Sequence, residues 1–298
     1  MRVKRFKGNI VIIAPVLIVA AIVASQFIPH ASAKDVKSVL TASHQTNSAT
    51  TAGHVVTASQ TTALSSVVAD MDAVINADPD GLSASATLVD LNTGQTYSAG
   101  ASSTIFKAAS TSKVLTAVDF LHEVEQGQAS LSEDIDGDTA QDLMQQMIVV
   151  SDNDAWADLE NFLGLTQEQD YATSIGMTNF TGGDYHTMTT EDEAVLLTKL
   201  YDGQLINSSD RSLLYSYMAN TDSTNLIQAA LPSTATVYHK YGELWGYLDD
   251  AAIVQYQGHD FVLVIFTNNS DGTTDEYDDQ VTLIHSITDA AFKDITAS

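Results

Sequence analysis

Three apolar, β-branched runs crowd the last quarter of this chain, at residues 236–242, 246–256 and 261–267. Runs of this length and composition are strands, and Gln257-Gly258-His259-Asp260 separates the last two as a hairpin turn. Two shorter strands, residues 84–90 and 95–99, lie far upstream and join at Asn92-Thr93-Gly94. Between the two sets, from Phe106 to about Ala230, the pattern is mostly helical. Leu64, Val67, Val68, Met71, Val74 and Ile75 recur at helical spacing, so the folded part starts with a helix near Ala63. An amphipathic helix over Val281–Ile295 ends it. Strands from both chain ends around a helical middle specify an α+β fold: one five-stranded antiparallel sheet flanked by helices. No internal repeat is present.

The remaining segments are organised for export. Arg2, Lys4, Arg5 and Lys7 precede an uncharged apolar stretch from Ile10 to about Ile28, followed by Pro29 and Ala31-Ser32-Ala33. Residues 1–33 therefore read as a signal peptide with a small-residue cleavage site. The alternative is an uncleaved membrane anchor, since the stretch approaches the roughly 20 residues that span a bilayer. On either reading the rest of the chain works outside the cytoplasm, extracellularly or at the cell surface. Residues 34–62 are rich in Ser, Thr, Ala, Gln and His without apolar periodicity, the composition of a flexible linker. The domain proper is then residues 63–298.

Composition narrows the function. Lys and Arg total 12 against 38 Asp and Glu, a net charge of -26. Such a surface repels phosphate backbones and anionic lipid, so nucleic acid is excluded as a partner and membrane contact is limited to an uncleaved N-terminal segment. Cysteine is absent, which removes disulfides, thiolate chemistry and Cys-based metal sites. The histidines are scattered without metal-ligand spacing. The acidic clusters Asp134–Asp138 and Asp271–Asp279 do not fit a calcium loop and read as solvated. No metal or cofactor is expected.

Three short motifs carry the chemistry. In Ser110-Thr111-Ser112-Lys113 a lysine follows a serine by three residues, in a chain with few lysines. On a helix the two would share a face. A serine hydroxyl is a weak nucleophile until a base stands beside it, and a lysine can be that base when burial and neighbouring positive charge lower its pKa. Ser151-Asp152-Asn153 sits between two helical stretches, one ending near Val150 and one running to about Phe162. Lys240-Tyr241-Gly242 ends a strand, with His239 before it. Singly each motif has an ordinary structural explanation: a surface helix turn, a helix cap and a strand end.

In this order and setting, the three motifs resemble those of class A β-lactamases and penicillin-binding proteins. The resemblance covers roughly residues 63–296 and implies a serine hydrolase. Ser110 would attack a carbonyl and form an acyl-enzyme, and Lys113 would accept its proton. Ser151 would relay a proton to the leaving nitrogen, and Asn153 would hold Lys113 and the substrate amide. Lys240 would keep Lys113 less protonated and attract a substrate carboxylate. The N–H groups of Ser110 and Glu243 would form the oxyanion hole. Asp152 would be structural, its carboxylate turned inward to backbone partners.

Two departures from the family pattern matter. Tyr241 replaces the Thr or Ser whose hydroxyl helps bind a substrate carboxylate, so Tyr241, Gly242 and Glu243 line an altered subsite. The Glu-x-x-Leu-Asn segment that activates hydrolytic water in class A enzymes is missing between Ser151 and Thr189-Thr190. Glu168, within that stretch, reads as an ordinary surface residue. The expectation is a monomeric exported serine hydrolase acting on a small-molecule or peptide acyl donor, with cell-wall peptides as the natural class. A true β-lactamase and a non-catalytic surface binding protein on the same fold are the alternatives.

Overall fold

The computed structural model describes residues 58–78, 81–183, 185–269 and 277–297. The proposed signal segment, most of the linker and most of the acidic run Asp271–Asp279 lie outside these residues. The chain enters through helix α1 (Ala58–Asn76), five residues earlier than its apolar spacing suggested, and continues into strands β1 (Ser83–Asp90) and β2 (Gln95–Gly100). Asp90 closes the intervening turn by accepting from the Asn92 N–H and the Thr93 hydroxyl. A short strand β3 (Phe106–Lys107) leads into a 3-10 turn (Ala109–Ser112) and helix α2 (Lys113–Glu125).

The middle of the chain is helical, as its periodicity indicates. A small hairpin, β4 (Asp134–Ile135) and β5 (Asp138–Thr139), precedes α3 (Ala140–Val149), α4 (Asn153–Leu163) and α5 (Leu165–Ile175). Strand β6 (Thr187–Met188) pairs antiparallel with β3. Helices α6 (Thr190–Tyr201), α7 (Ser208–Met218) and the short α8 (Ile227–Ala230) follow. Helix α6 opens on a capping box, in which Thr189 and Asp192 satisfy each other's backbone N–H groups.

The last strands are β7 (Thr236–Leu244), β8 (Tyr247–Tyr256) and β9 (His259–Asn268), ahead of helix α9 (Asp278–Ala297). All five long strands form one antiparallel sheet in the order β2-β1-β9-β8-β7. The β8–β9 turn is tighter than expected: only Gln257 and Gly258 lie outside the ladder, both at positive φ, and His259 and Asp260 already pair. That is the two-residue hairpin whose twist suits antiparallel strands.

Helices cover both faces, which explains why β9 reads as an unbroken apolar run from Phe261 to Phe266. Alternate residues of β9 point to opposite sides. Phe261, Leu263 and Ile265 pack with α1 and α9, while Val262, Val264 and Phe266 pack with the central helices. Among the described residues no strand pairs with the outer edge of β7, and the 3-10 turn docks beside it. The second and third motifs reach the first across that edge.

Candidate active site

The turn that carries Ser110 is fixed by its own side chains. The Thr111 hydroxyl donates to the Ala108 carbonyl at 2.8 Å and the Ser112 hydroxyl to the Ala109 carbonyl at 2.9 Å. Upstream, the Ala108 N–H donates to the His186 carbonyl at 2.9 Å, continuing the β3–β6 pairing. Ala109 is held at φ +46, a region that costs a residue with a Cβ about 1–2 kcal/mol. Ser110 is left half-exposed, and its hydroxyl makes no hydrogen bond among the described residues.

Strand β7 approaches this turn so closely that only glycine fits. A Cβ on Gly242 would lie 2.9 Å from both the Ser110 nitrogen and the Ala108 oxygen. The Ser110 N–H and the Gly242–Glu243 stretch are therefore neighbours, the arrangement expected of two oxyanion-hole donors. Glu243 itself is exposed.

Two fully buried lysines converge on one hydroxyl. Lys113, at the start of α2, donates to the Ser151 carbonyl and to Asn153 Oδ1, each at 2.7 Å, and lies 3.4 Å from Ser151 Oγ. Lys240, on β7, donates to Ser151 Oγ at 2.9 Å and to the Tyr241 carbonyl at 3.1 Å. Ser151 takes φ +59 between α3 and α4, so its carbonyl and its hydroxyl both face Lys113. Asp152 serves as the N-cap of α4, its carboxylate accepting from the Ala155 N–H at 2.8 Å.

Burial lowers both lysine pKa values, Lys113 to about 8 against the attraction of Asp152. Lys240 falls to about 7, through burial first and the Lys113 charge second, opposed by Asp222 and Asp250. For Lys113, burial, one of the two causes expected from sequence, is the one that lowers the value. The two share a hydroxyl and titrate as a pair, so one of them becomes a neutral amine near neutral pH. That amine is a base at the Ser151 hydroxyl; neither lysine is within hydrogen-bond distance of the Ser110 hydroxyl.

Around this cluster, β7 is pinned by buried polar contacts. His239 Nδ1 meets Asp250 Oδ1 at 2.9 Å, and Asp250 Oδ2 accepts from the Ile227 N–H at 3.0 Å. The Tyr241 ring lies 4.2 Å from Lys240 Nζ, a cation–π contact, and burial raises its phenol pKa, with Asp222 and Glu243 adding to the rise. Tyr241 is therefore part of the cluster. The substituted residue contributes an aromatic face and a hydroxyl where the family pattern has a small hydroxyl alone.

Glu168 departs from expectation. It is fully buried on α5, not a surface residue. Thr116 of α2 donates to its Oε1 at 2.5 Å, and His186 Nε2 lies 3.3 Å from its Oε2. His186 also meets Glu160 of α4 at 2.7 Å. Trp156 joins this group to the lysines, its indole N–H donating to Thr116 at 3.0 Å while Lys113 Nζ sits 5.1 Å above the ring. Sequence reasoning missed Trp156, Thr116, Glu160 and His186. They come from α2, α4 and the loop before β6, and only Trp156 and Glu160, one turn apart on α4, are close in sequence.

Comparison with known proteins agrees with this geometry. The profile described as the β-lactamase enzyme family matches residues 66–295. The structure reported as PBP-A has 20% identity and a TM-score of 0.70, covering 79% of this chain and 97% of that one. A penicillin-G acyl-enzyme complex of a point mutant of PBP-A has 21% identity and a TM-score of 0.71, with 79% and 98% covered. A β-lactamase from Sphaerobacter thermophilus shows 22% identity and a TM-score of 0.69, with 78% and 98% covered. No curated protein matches. With the match spanning nearly the whole folded part, the chain belongs to the β-lactamase enzyme family of serine hydrolases.

Proposed function

We propose that this protein is an exported serine hydrolase that forms an acyl-enzyme through Ser110 on amide or ester bonds, with cell-wall stem peptides as its substrate class. The observation that carries the reading is the convergence of Lys113 and Lys240 on the Ser151 hydroxyl. In the proposed sequence the neutral amine of the pair takes the Ser110 proton as the oxygen attacks the carbonyl carbon. The oxyanion is held by the N–H groups of Ser110 and Glu243, a type of contact worth on the order of 10²–10³ in rate per donor. Ser151 then passes a proton from the lysine pair to the leaving nitrogen, the amine departs, and the acyl group stays on Ser110. Water completes hydrolysis.

The last step separates this reading from an efficient β-lactamase. Glu168 is engaged by Thr116 and His186, and Trp156 stands between that group and Lys113. A carboxylate held behind Trp156 does not supply a water-activating base at the acylated serine, so slow deacylation is expected. Incubation with penicillin G and with a D-alanyl thioester, followed by intact-mass measurement, tests the proposal. One covalent adduct per chain that persists for minutes, and is missing from Ser110→Ala, is the expected result. Rapid Ser110-dependent nitrocefin turnover without accumulating adduct would establish the β-lactamase alternative. An unmodified protein with both donors would leave the binding-protein alternative.

A further inference from the structure

The group behind Trp156 has the makings of a second site. Glu160 on α4, Glu168 on α5 and His186 just before β6 each offer a ligand atom, all within 4.8 Å of one another. His186 and Glu168 are fully buried, and Glu160 is about one-fifth exposed. Glu168 Oε2 is buried with no hydrogen-bond partner and points at His186. Two carboxylates share one imidazole whose ring is packed edge-on by Trp156 and Phe180, so negative charge that the imidazole does not offset is costly away from water.

We propose that Glu160, Glu168 and His186 bind one divalent transition metal of the zinc type. One imidazole nitrogen and two carboxylate oxygens form a three-residue donor set with a fourth position left for water. An imidazole among the donors favours zinc over magnesium or calcium, which take all-oxygen sites. Metal–ligand bonds of about 2.0–2.2 Å require donor atoms roughly 3.3 Å apart. The His186–Glu168 separation is already 3.3 Å, and the His186–Glu160 pair need open only from 2.7 Å. Two positive charges would neutralise the two carboxylates, and the partly exposed Glu160 gives a path from solvent.

The site would clamp α4 and α5 to the loop that holds the nucleophile turn. The His186 carbonyl accepts from the Ala108 N–H, two residues before Ser110. Its role is to position that turn, and it takes no part in the acyl transfer.

The test uses the full chain, stripped with chelator and titrated with Zn²⁺ by calorimetry, alongside thermal melting. One equivalent should bind, with a melting temperature several degrees higher, and Mg²⁺ and Ca²⁺ should do neither. Co²⁺ should give the strong visible absorption of a four-coordinate site. Glu160→Gln, chosen because its side chain reaches the surface and its loss leaves the packing intact, should weaken binding at least tenfold, and adding Glu168→Gln should abolish it. Absence of stoichiometric binding overturns the proposal. So does Zn²⁺ binding that is unchanged in the double variant, since the metal then sits elsewhere. Neither outcome depends on whether Ser110 is acylated.

Discussion

Lys113 and Lys240 are stripped of water at the same hydroxyl, and the chemistry at this site rests on that cost. Acylation should rise with pH through about 7 to 8 as the pair loses its first proton, then level off. A stopped-flow pH profile with a chromogenic acyl donor reads this directly. Lys113→Arg, which cannot deprotonate, should reduce the rate at least 10³-fold at every pH, and a profile that falls between pH 6 and 8 would refute the assignment. Gly242→Ala sets a Cβ 2.9 Å from the Ser110 nitrogen, so the turn or the strand must shift. A loss of about 10²-fold in acylation, the scale of one lost oxyanion donor, is expected together with a lowered melting temperature, because the atoms to be displaced are backbone. Tyr241→Thr restores the small hydroxyl of the family pattern and should quicken penicillin acylation about tenfold. An unchanged rate would mean that the ring does not govern carboxylate recognition.

At the scale of elements, the site is a junction between pieces distant in the chain, which explains what the sequence revealed. Strand β9 was legible because both its faces are buried and its apolar run is continuous, while β7 and β8 were marked by β-branched and aromatic residues. The motifs were legible because Ser110 and Lys113 are three residues apart, and Ser151, Asp152 and Asn153 are consecutive. Boundaries were less clear. Ser110 sits in a 3-10 turn rather than in the helix proper, and β7 runs two residues beyond Gly242. Glu168 was misread because nothing local marks its burial. It lies near the start of α5, and only the packing of α5 against α2 hides it. The backbone departures at Ala109 and Ser151 were equally invisible, since neither residue type signals positive φ. Ala109→Gly should relieve the strain and raise stability by about 1 kcal/mol in a chemical-denaturation experiment. A loss of stability would show that the turn is unstrained.

For the whole molecule, acidity extends into the core. Burial raises Asp119 to about 7 and Glu193 to about 8, and lifts Asp249 well above its ordinary value. Each keeps its proton in the fold to higher pH than in the unfolded chain. The stability involved is complete below the ordinary carboxylate range and is lost as pH rises toward 7 to 8. The lysine pair acts oppositely: its cost is complete below about pH 7 and is relieved as pH rises toward the ordinary lysine value, so most of that relief lies above pH 8. The protein should therefore melt higher at pH 5.5 than at pH 8, by on the order of 5 °C, and Glu193→Gln should shrink the difference. A flat or reversed dependence would contradict the buried-carboxyl account. The central claim, that one activated serine is the nucleophile, has a direct test in the chain's own lysines. Trypsin cleaves after Lys107 and Lys113, releasing residues 108–113 with Ser110 inside. After a pulse of penicillin at pH 8, fragmentation of that peptide should place the added mass on Ser110, the peptide of residues 114–199 that carries Ser151 should stay unmodified, and in Lys113→Ala, where the two merge into residues 108–199, no added mass should appear. Mass found on Ser112 or Ser151, or equal labelling without Lys113, would contradict it.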